Sequence, residues 1–184
     1  MKKFPLIQTE HLVLCQFTDK DLENVFYGLS HPDVIKYYGV SFNTLEATKV
    51  QMEWFKNLEE TETGIWWAIW SKDKKQFYGA GGLNDMDKTK AEIGFWLLPE
   101  FWGKGIMNEA MPLICNYAFT SLGLERIEGF VDPENSNCKS GLAKLDFEYE
   151  RTEPDCEMRD EKKISLDVYV MASPLESTSS PRRR

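Results

Sequence analysis

The stretch Trp102-Gly103-Lys104-Gly105-Ile106-Met107 puts two glycines where a helical pattern begins. Glycine is a poor helix former, so its use there calls for a reason. A helix N-terminus carries up to four N–H groups without partners and a partial positive charge. A glycine-containing turn lets those amides converge on one anion, unobstructed by side chains. The loop therefore reads as a pyrophosphate cradle, with Lys104 adding charge from outside. It does not match GxxxxGKS/T, which excludes a nucleoside-triphosphatase loop. It does not match GxGxxG either, and no repeating βαβ units surround it, which disfavours a dinucleotide fold. The bland alternative is a tight strand-to-helix turn at Gly103 and Gly105.

Such a loop needs a strand before it and a helix after it. Apolar periodicity predicts strands over 11–17, 65–71, 76–84, 90–98, 125–132, 147–153 and 163–172. Helices are predicted over 18–30, 31–39, 43–60, 104–122 and 134–146. The first opens on a cap-like Thr18 with an acidic residue three places on. Gly123 ends the helix over 104–122, and Pro112 should bend it. This order implies an α/β chain: a mixed, mostly antiparallel central sheet with helices on both faces. Residues 1–175 read as a single domain, and the polar segment 176–184 as a disordered tail.

The 184 residues carry a net charge of −8, even with Arg182, Arg183 and Arg184 at the end. Such an acidic body is a poor nucleic-acid binder and suits an amine-bearing substrate. Four cysteines without CxxC spacing and two histidines give no metal-site pattern. No apolar run reaches membrane-spanning length, and the first residues lack an apolar signal core. The expectation is a cytoplasmic protein with reduced thiols, acting without membrane or nucleic acid, as a monomer or homodimer.

The segments "AEIGFWLLPEFWGKGIMNEAM" (91–111) and "VDPENSNCKSGLAKLDFEYE" (131–150) resemble the GNAT superfamily of acetyl-coenzyme A-dependent N-acetyltransferases, in its RimJ/RimL-like branch. The likeness extends through the element order from 11 to 172. It implies the GNAT-like acyl-CoA N-acyltransferase fold, acetyl-CoA (coenzyme A) as cofactor, and an amine acceptor: a protein N-terminus such as a ribosomal protein's, or a small molecule. The family's Q/R-x-x-G-x-G/A loop lies on 102–107, with Gly105 matching. Trp102 stands for Gln/Arg, and Met107 stands for the small residue, where its bulk could crowd a phosphate. Trp96, Leu97 and Leu98 map to the strand that pairs with the pantetheine arm. Asn135 maps to an asparagine that contacts it.

Acetyl transfer needs a base for the amine proton, a donor for the developing oxyanion and an acid for the leaving thiolate. A backbone N–H near Leu97 or Leu98 suits the oxyanion. Glu92 on the same strand is the candidate base, its alternative being a structural ion pair; Asp85 and Glu53 are weaker. Cys138 stands where relatives often carry serine and is the candidate acid, its alternative being a packed helix-start residue. Asp146 replaces a family glycine at a helix end, where a left-handed conformation is expected. Most tryptophans read as core, whereas Tyr37, Tyr38 and Trp54 are candidates for the acceptor pocket. The competing functional reading is an acyl-CoA-binding sensor without turnover, kept open by Met107, Cys138 and Asp146.

Overall fold

The change of hydrophobic period at residue 65 marks entry into the main part of a single sheet. The computed structural model describes residues 3–159 and 161–174; the tail expected over 176–184 lies outside them. The strands are β1 (Ile7–Gln8), β2 (Leu12–Cys15), β3 (Ile65–Ser71), β4 (Phe77–Asn84), β5 (Lys90–Leu97), β6 (Arg126–Val131), β7 (Glu148–Arg159) and β8 (Lys162–Ala172). They lie in the order β1-β2-β3-β4-β5-β6-β8-β7. Every neighbouring pair is antiparallel except β5 and β6.

The helices are α1 (Leu22–Ser30), α2 (Pro32–Ile35), α3 (Leu45–Glu60), α4 (Ile106–Thr120) and α5 (Ser136–Lys144). Their starts follow local chemistry. The Thr18 N–H donates to Asp21 Oδ2 at 2.7 Å, and the Ala47 N–H donates to Thr44 Oγ1 at 3.1 Å. Each satisfies a group that a helix end leaves open. At the end of α4, Gly123 is left-handed (φ +72°), and the Leu124 N–H reaches the Ala118 carbonyl at 3.0 Å. The helix itself continues through Pro112.

Two buried clusters occupy the two faces of the sheet. Val25, Leu29, Phe55 and Leu58 from α1 and α3 pack on Trp66, Ala68, Ala80 and Trp96. Met111, Ile114 and Ala118 from α4 and Leu142 from α5 pack on Leu14, Trp67, Ile69, Ile93 and Ile127. Alternate residues of each strand thus serve opposite cores. Trp66 lies across bare backbone: a Cβ at Gly82 would meet its ring at 2.4 Å, and one at Gly94 at 2.6 Å.

Two strand expectations need correcting. The two residues of β1 are too short to show a period and are held by pairing to β2. The strand expected over 147–153 runs on to Arg159, past Pro154, which the sequence pattern reads as a stop. It can do so because β7 is an edge strand, where a missing N–H costs no ladder bond. The pairing to β8 is irregular between Glu153 and Glu157, with Asp155 at φ +50°.

The parallel pairing of β5 and β6 covers only Lys90–Glu92 against Arg126–Glu128. Beyond it, β5 stays with β4 and β6 stays with β8. The two halves of the sheet part and leave a cleft.

Gly141 lies inside α5 with nothing within 4 Å of the place a Cβ would take. Gly141→Ala should therefore stabilise the protein by about 0.5–1 kcal/mol, read as a rise in Tm of roughly 1–4 °C; a fall would mean that the position is sterically closed.

Candidate active site

The cleft opens into a cavity of about 1330 Å³, lined by β5, the loop over 101–108, the end of β6, the start of α5 and the segment after α2. At one side lies the glycine loop. Gly103 (φ +71°) and Gly105 (φ +80°) are both left-handed, and nothing stands within 4 Å of either Cβ position. The first turn of α4 closes with the Glu109 N–H on the Gly105 carbonyl at 3.1 Å. No main-chain partner takes the amides of residues 103–108 among the described residues. Six consecutive donors at a helix start, with open space before them, fit an anionic group such as a diphosphate. The Met107 side chain packs in part against the α4-side core and also lines the cavity. Lys104 is exposed, its Nζ 5.3 Å from the centre of the Phe101 ring.

The edge of β5 needs closer reading. Leu98 donates its N–H to the Tyr78 carbonyl at 2.9 Å, and its own carbonyl accepts from the Phe101 N–H at 2.9 Å. Both its polar groups are used. By the alternation of an antiparallel ladder, Trp96 likewise turns its main chain to β4, whereas Phe95 and Leu97 turn theirs to the gap. The Leu97 carbonyl accepts from Trp102 Nε1 at 2.9 Å, which gives this aromatic a structural task. Of Trp96, Leu97 and Leu98, the residues mapped to the arm, only the Leu97 N–H is left facing the gap, and the Phe95 main chain joins it. The Trp96 ring faces α1, where a Cβ on Gly28 would meet it at 2.2 Å.

Glu92 lines the cavity on the same strand. Burial, then the nearby Asp85 charge, push its carboxyl up to about 7, against a smaller opposing effect of a hydrogen bond from Asn84. No lysine or arginine pairs with it among the described residues, which argues against the structural ion-pair reading. A carboxylate with a pKa near neutrality can take and return protons. Glu53 is exposed on α3 and is not part of the cavity wall.

Asn135 caps α5: its Oδ1 accepts from the Cys138 N–H at 3.1 Å. Cys138 lines the cavity and packs against the α4-side core. Burial pushes its thiol up to about 12, so it stays protonated. Asp146 takes the left-handed conformation expected of it, at φ +64°.

Tyr37, Tyr38 and Trp54 line the same cavity as Glu92. Burial, and secondarily the Glu92 charge, push the Tyr38 phenol well up. Trp54 meets Trp66 edge to face at 5.7 Å. A residue that sequence reasoning missed ties this wall down. Arg159 donates to Asp132 Oδ2 at 2.6 Å, to Glu157 Oε1 at 3.0 Å and to the Tyr37 carbonyl at 3.3 Å. It lies beyond Pro154, in the part of β7 that shows no strand pattern.

A divided sheet with free amides at a helix start is the arrangement of an acyl-carrier-dependent transferase. Residues 11–148 match the family model described as acetyltransferase (GNAT) domain, and the chain belongs to that family. It is an acetyl-CoA-dependent N-acetyltransferase. Over 176 residues it is 30% identical to YoaA of Bacillus subtilis (strain 168), described as an uncharacterized N-acetyltransferase, covering 94% of this chain and 99% of that protein. In fold it is similar to the ribosomal-protein-S5-alanine acetyltransferase of Vibrio fischeri, with a TM-score of 0.80 at 16% identity, over 92% of this chain and 97% of that one. It is also similar to the spermidine N-acetyltransferase of Vibrio cholerae in complex with CoA and spermine, with a TM-score of 0.78 at 16% identity, over 90% and 97%.

The site generates two expectations. Gly105→Ala adds only left-handed strain, about 1–2 kcal/mol, whereas Gly105→Glu also puts a negative charge into the cradle. By calorimetry, the Glu variant should bind coenzyme A at least about tenfold more weakly than the Ala variant; equal affinity in the two would remove the loop from phosphate binding. The second concerns Glu92, whose folded-state pKa of about 7 exceeds the ordinary 4.5. The stability tied to its proton is full below the lower value and is lost as pH rises through the upper. Glu92→Gln should melt with wild type at pH 4 and about 3–6 °C above it at pH 8, roughly 1–2 kcal/mol after discounting for partial access to water.

Proposed function

We propose that the protein, as one domain over residues 1–175 of the RimJ/RimL-like branch, moves the acetyl group of acetyl-CoA onto a primary amine by direct attack in a ternary complex. The acceptor is a protein N-terminus, such as a ribosomal protein's, or a small-molecule amine. The observation that carries this reading is Glu92, a cavity carboxyl held near neutral pKa on the strand whose free edge faces the cleft.

The cofactor supplies an acetyl group activated as a thioester. The amides of residues 103–108 hold its diphosphate, with Lys104 adding charge and Asn135 offering its side-chain amide to the arm. The main chain of Phe95 pairs with the extended arm as an added strand would. The Leu97 N–H is the donor aimed at the acetyl oxygen as negative charge gathers there. Glu92, directly or through a water, accepts the proton of the attacking amine. Cys138 is assigned as the acid: its thiol passes a proton to the departing sulfur and is restored by the proton that Glu92 took from the amine, so the site ends the cycle as it began. Tyr37, Tyr38 and Trp54 form the wall against which the acceptor packs, which suits an amine with an apolar or extended part. The acidic body favours the approach of a cation. All four cysteines are free, which supports a reducing, cytoplasmic setting.

The test is thiol release from acetyl-CoA across a panel of amines and N-terminal peptides. Wild type should turn over, with kcat/KM rising through pH 7. Glu92→Gln should lose about 10²–10³ in kcat and keep its affinity for coenzyme A. Cys138→Ser should remain active if position 138 donates a proton. Firm binding of coenzyme A with no thiol release from any amine would overturn the reading in favour of an acyl-CoA sensor.

A further inference from the structure

Glu92 has a neighbour of the same kind. Glu128 on β6 is its in-register partner in the parallel pair, at the last rung before the strands part. The two strands lie about 4.8 Å apart. Alternation puts both side chains on the face that carries α1 and α3: Trp96, two and four residues from Gly94 and Glu92, joins that core, while Ile93 and Ile127 join the other. Two carboxyl groups therefore stand side by side, Glu128 buried and Glu92 half-buried.

Their surroundings are opposite. Glu128 meets Arg126 at 2.8 Å, Lys90 at 3.4 Å and Arg151 at 3.5 Å. Burial works to raise its pKa, but Arg126, then Lys90 and Arg151, outweigh burial and hold it as a carboxylate. Those cations are shared with Glu150, 3.0 Å from Arg126 Nη1 and 2.6 Å from Arg151, and with Glu153, 3.2 Å from Arg151. Three positive and three negative groups thus form one balanced cluster across β5, β6 and β7. Around Glu92 the balance is different. Asp85 and the Asn84 amide face it from the end of β4, Glu128 from β6, Glu157 from β7 and the Tyr38 phenol from the segment after α2. Every charged group among them is negative, and Glu157 already has Arg159 as its partner.

The cluster could serve only to staple three strands together. A staple would need no particular neighbour, yet this one places its central charge on the rung beside Glu92, a cavity carboxyl with no lysine or arginine partner among the described residues. Separation of the proton affinities of two adjacent carboxyls is a recognised way to give one of them acid–base work. Taking Glu92 as the base, as above, we propose that Glu128 is its positioning residue: fixed as a charge by Lys90, Arg126 and Arg151 on the rung beside Glu92, it adds to burial and to Asp85 in readying Glu92 to take the amine proton. Glu128 itself touches neither acceptor nor cofactor; it acts through Glu92.

Electrostatics of this kind makes opposite predictions for opposite charges. Glu128→Gln removes the neighbouring negative charge and leaves the cluster one charge more positive, so Glu92 should ionise at lower pH. Arg151→Met leaves the cluster one charge more negative, so Glu92 should ionise at higher pH. Glu150→Gln, at a more exposed position, should act in the same sense as Glu128→Gln and stands in for it if that variant does not fold.

The measurement is the carboxyl 13C titration of the full-length protein labelled at glutamate, the Glu92 signal being assigned by its loss in Glu92→Gln. It is paired with the pH profile of kcat/KM. The Glu92 midpoint should fall by about 0.5–1 unit in Glu128→Gln or Glu150→Gln and rise by a similar amount in Arg151→Met, and 0.5 M salt should shrink both shifts. Midpoints that stay within 0.2 unit of wild type, or that move the same way for both signs of substitution, overturn the proposal. Failure of the base reading looks different: the limb of kcat/KM near pH 7 would survive in Glu92→Gln, while the midpoints would still move apart.

Discussion

Parallel pairing between β5 and β6 ends after Glu92 and Glu128, and the cleft exists because it ends there. Each strand keeps its antiparallel partner on the far side, so neither half of the sheet loses its ladder when the two halves diverge. Leu142 of α5 fills the space over Gly129 at the parting: a Cβ on that glycine would meet Leu142 at 3.2 Å and Ile93 at 3.5 Å. A methyl at 129 fits only if the Leu142 side chain gives way by a few tenths of an ångström. The separation also leaves the main chain of Phe95 and the Leu97 N–H facing a gap, where an ordinary sheet would have satisfied them.

Much of the site is written in local sequence because local conformation makes it. The glycines at 103 and 105 mark an unobstructed turn at a helix start, and both residues make it with left-handed backbone. Asp146 shows the same logic at the end of α5. The helices are legible because their caps and apolar stripes are local, and the expected boundaries shift by only a residue or two at most ends.

What was not legible depends on partners far away in the chain. Which edge of β5 is free is decided by the bond from Leu98 to Tyr78, and no pattern within 90–98 encodes the parity of that pairing. The continuation of β7 past Pro154 depends on its place at the sheet edge, a property of topology and not of residue type. Arg159 reads as one charge in a charged stretch, and its grip on Asp132 and on the Tyr37 carbonyl appears only once the chain has folded. Likewise Glu128 is unremarkable in "ERIEGFVD" until β5 lies beside it.

The two sides of the cavity are built from different materials. On the side of residues 103–108 the contacts offered are peptide groups, which every amino acid shares. On the side of Tyr37, Tyr38 and Trp54 they are side chains, and the segment bearing the two tyrosines is fastened to the rest of the molecule by Arg159. Substitution can therefore remodel the second side freely while the first keeps its grip. On the proposed assignment of acceptor and carrier to these two sides, a lineage built on this plan can exchange one acceptor for another by altering a handful of codons around 37–54 and 157–159, with its carrier left unchanged.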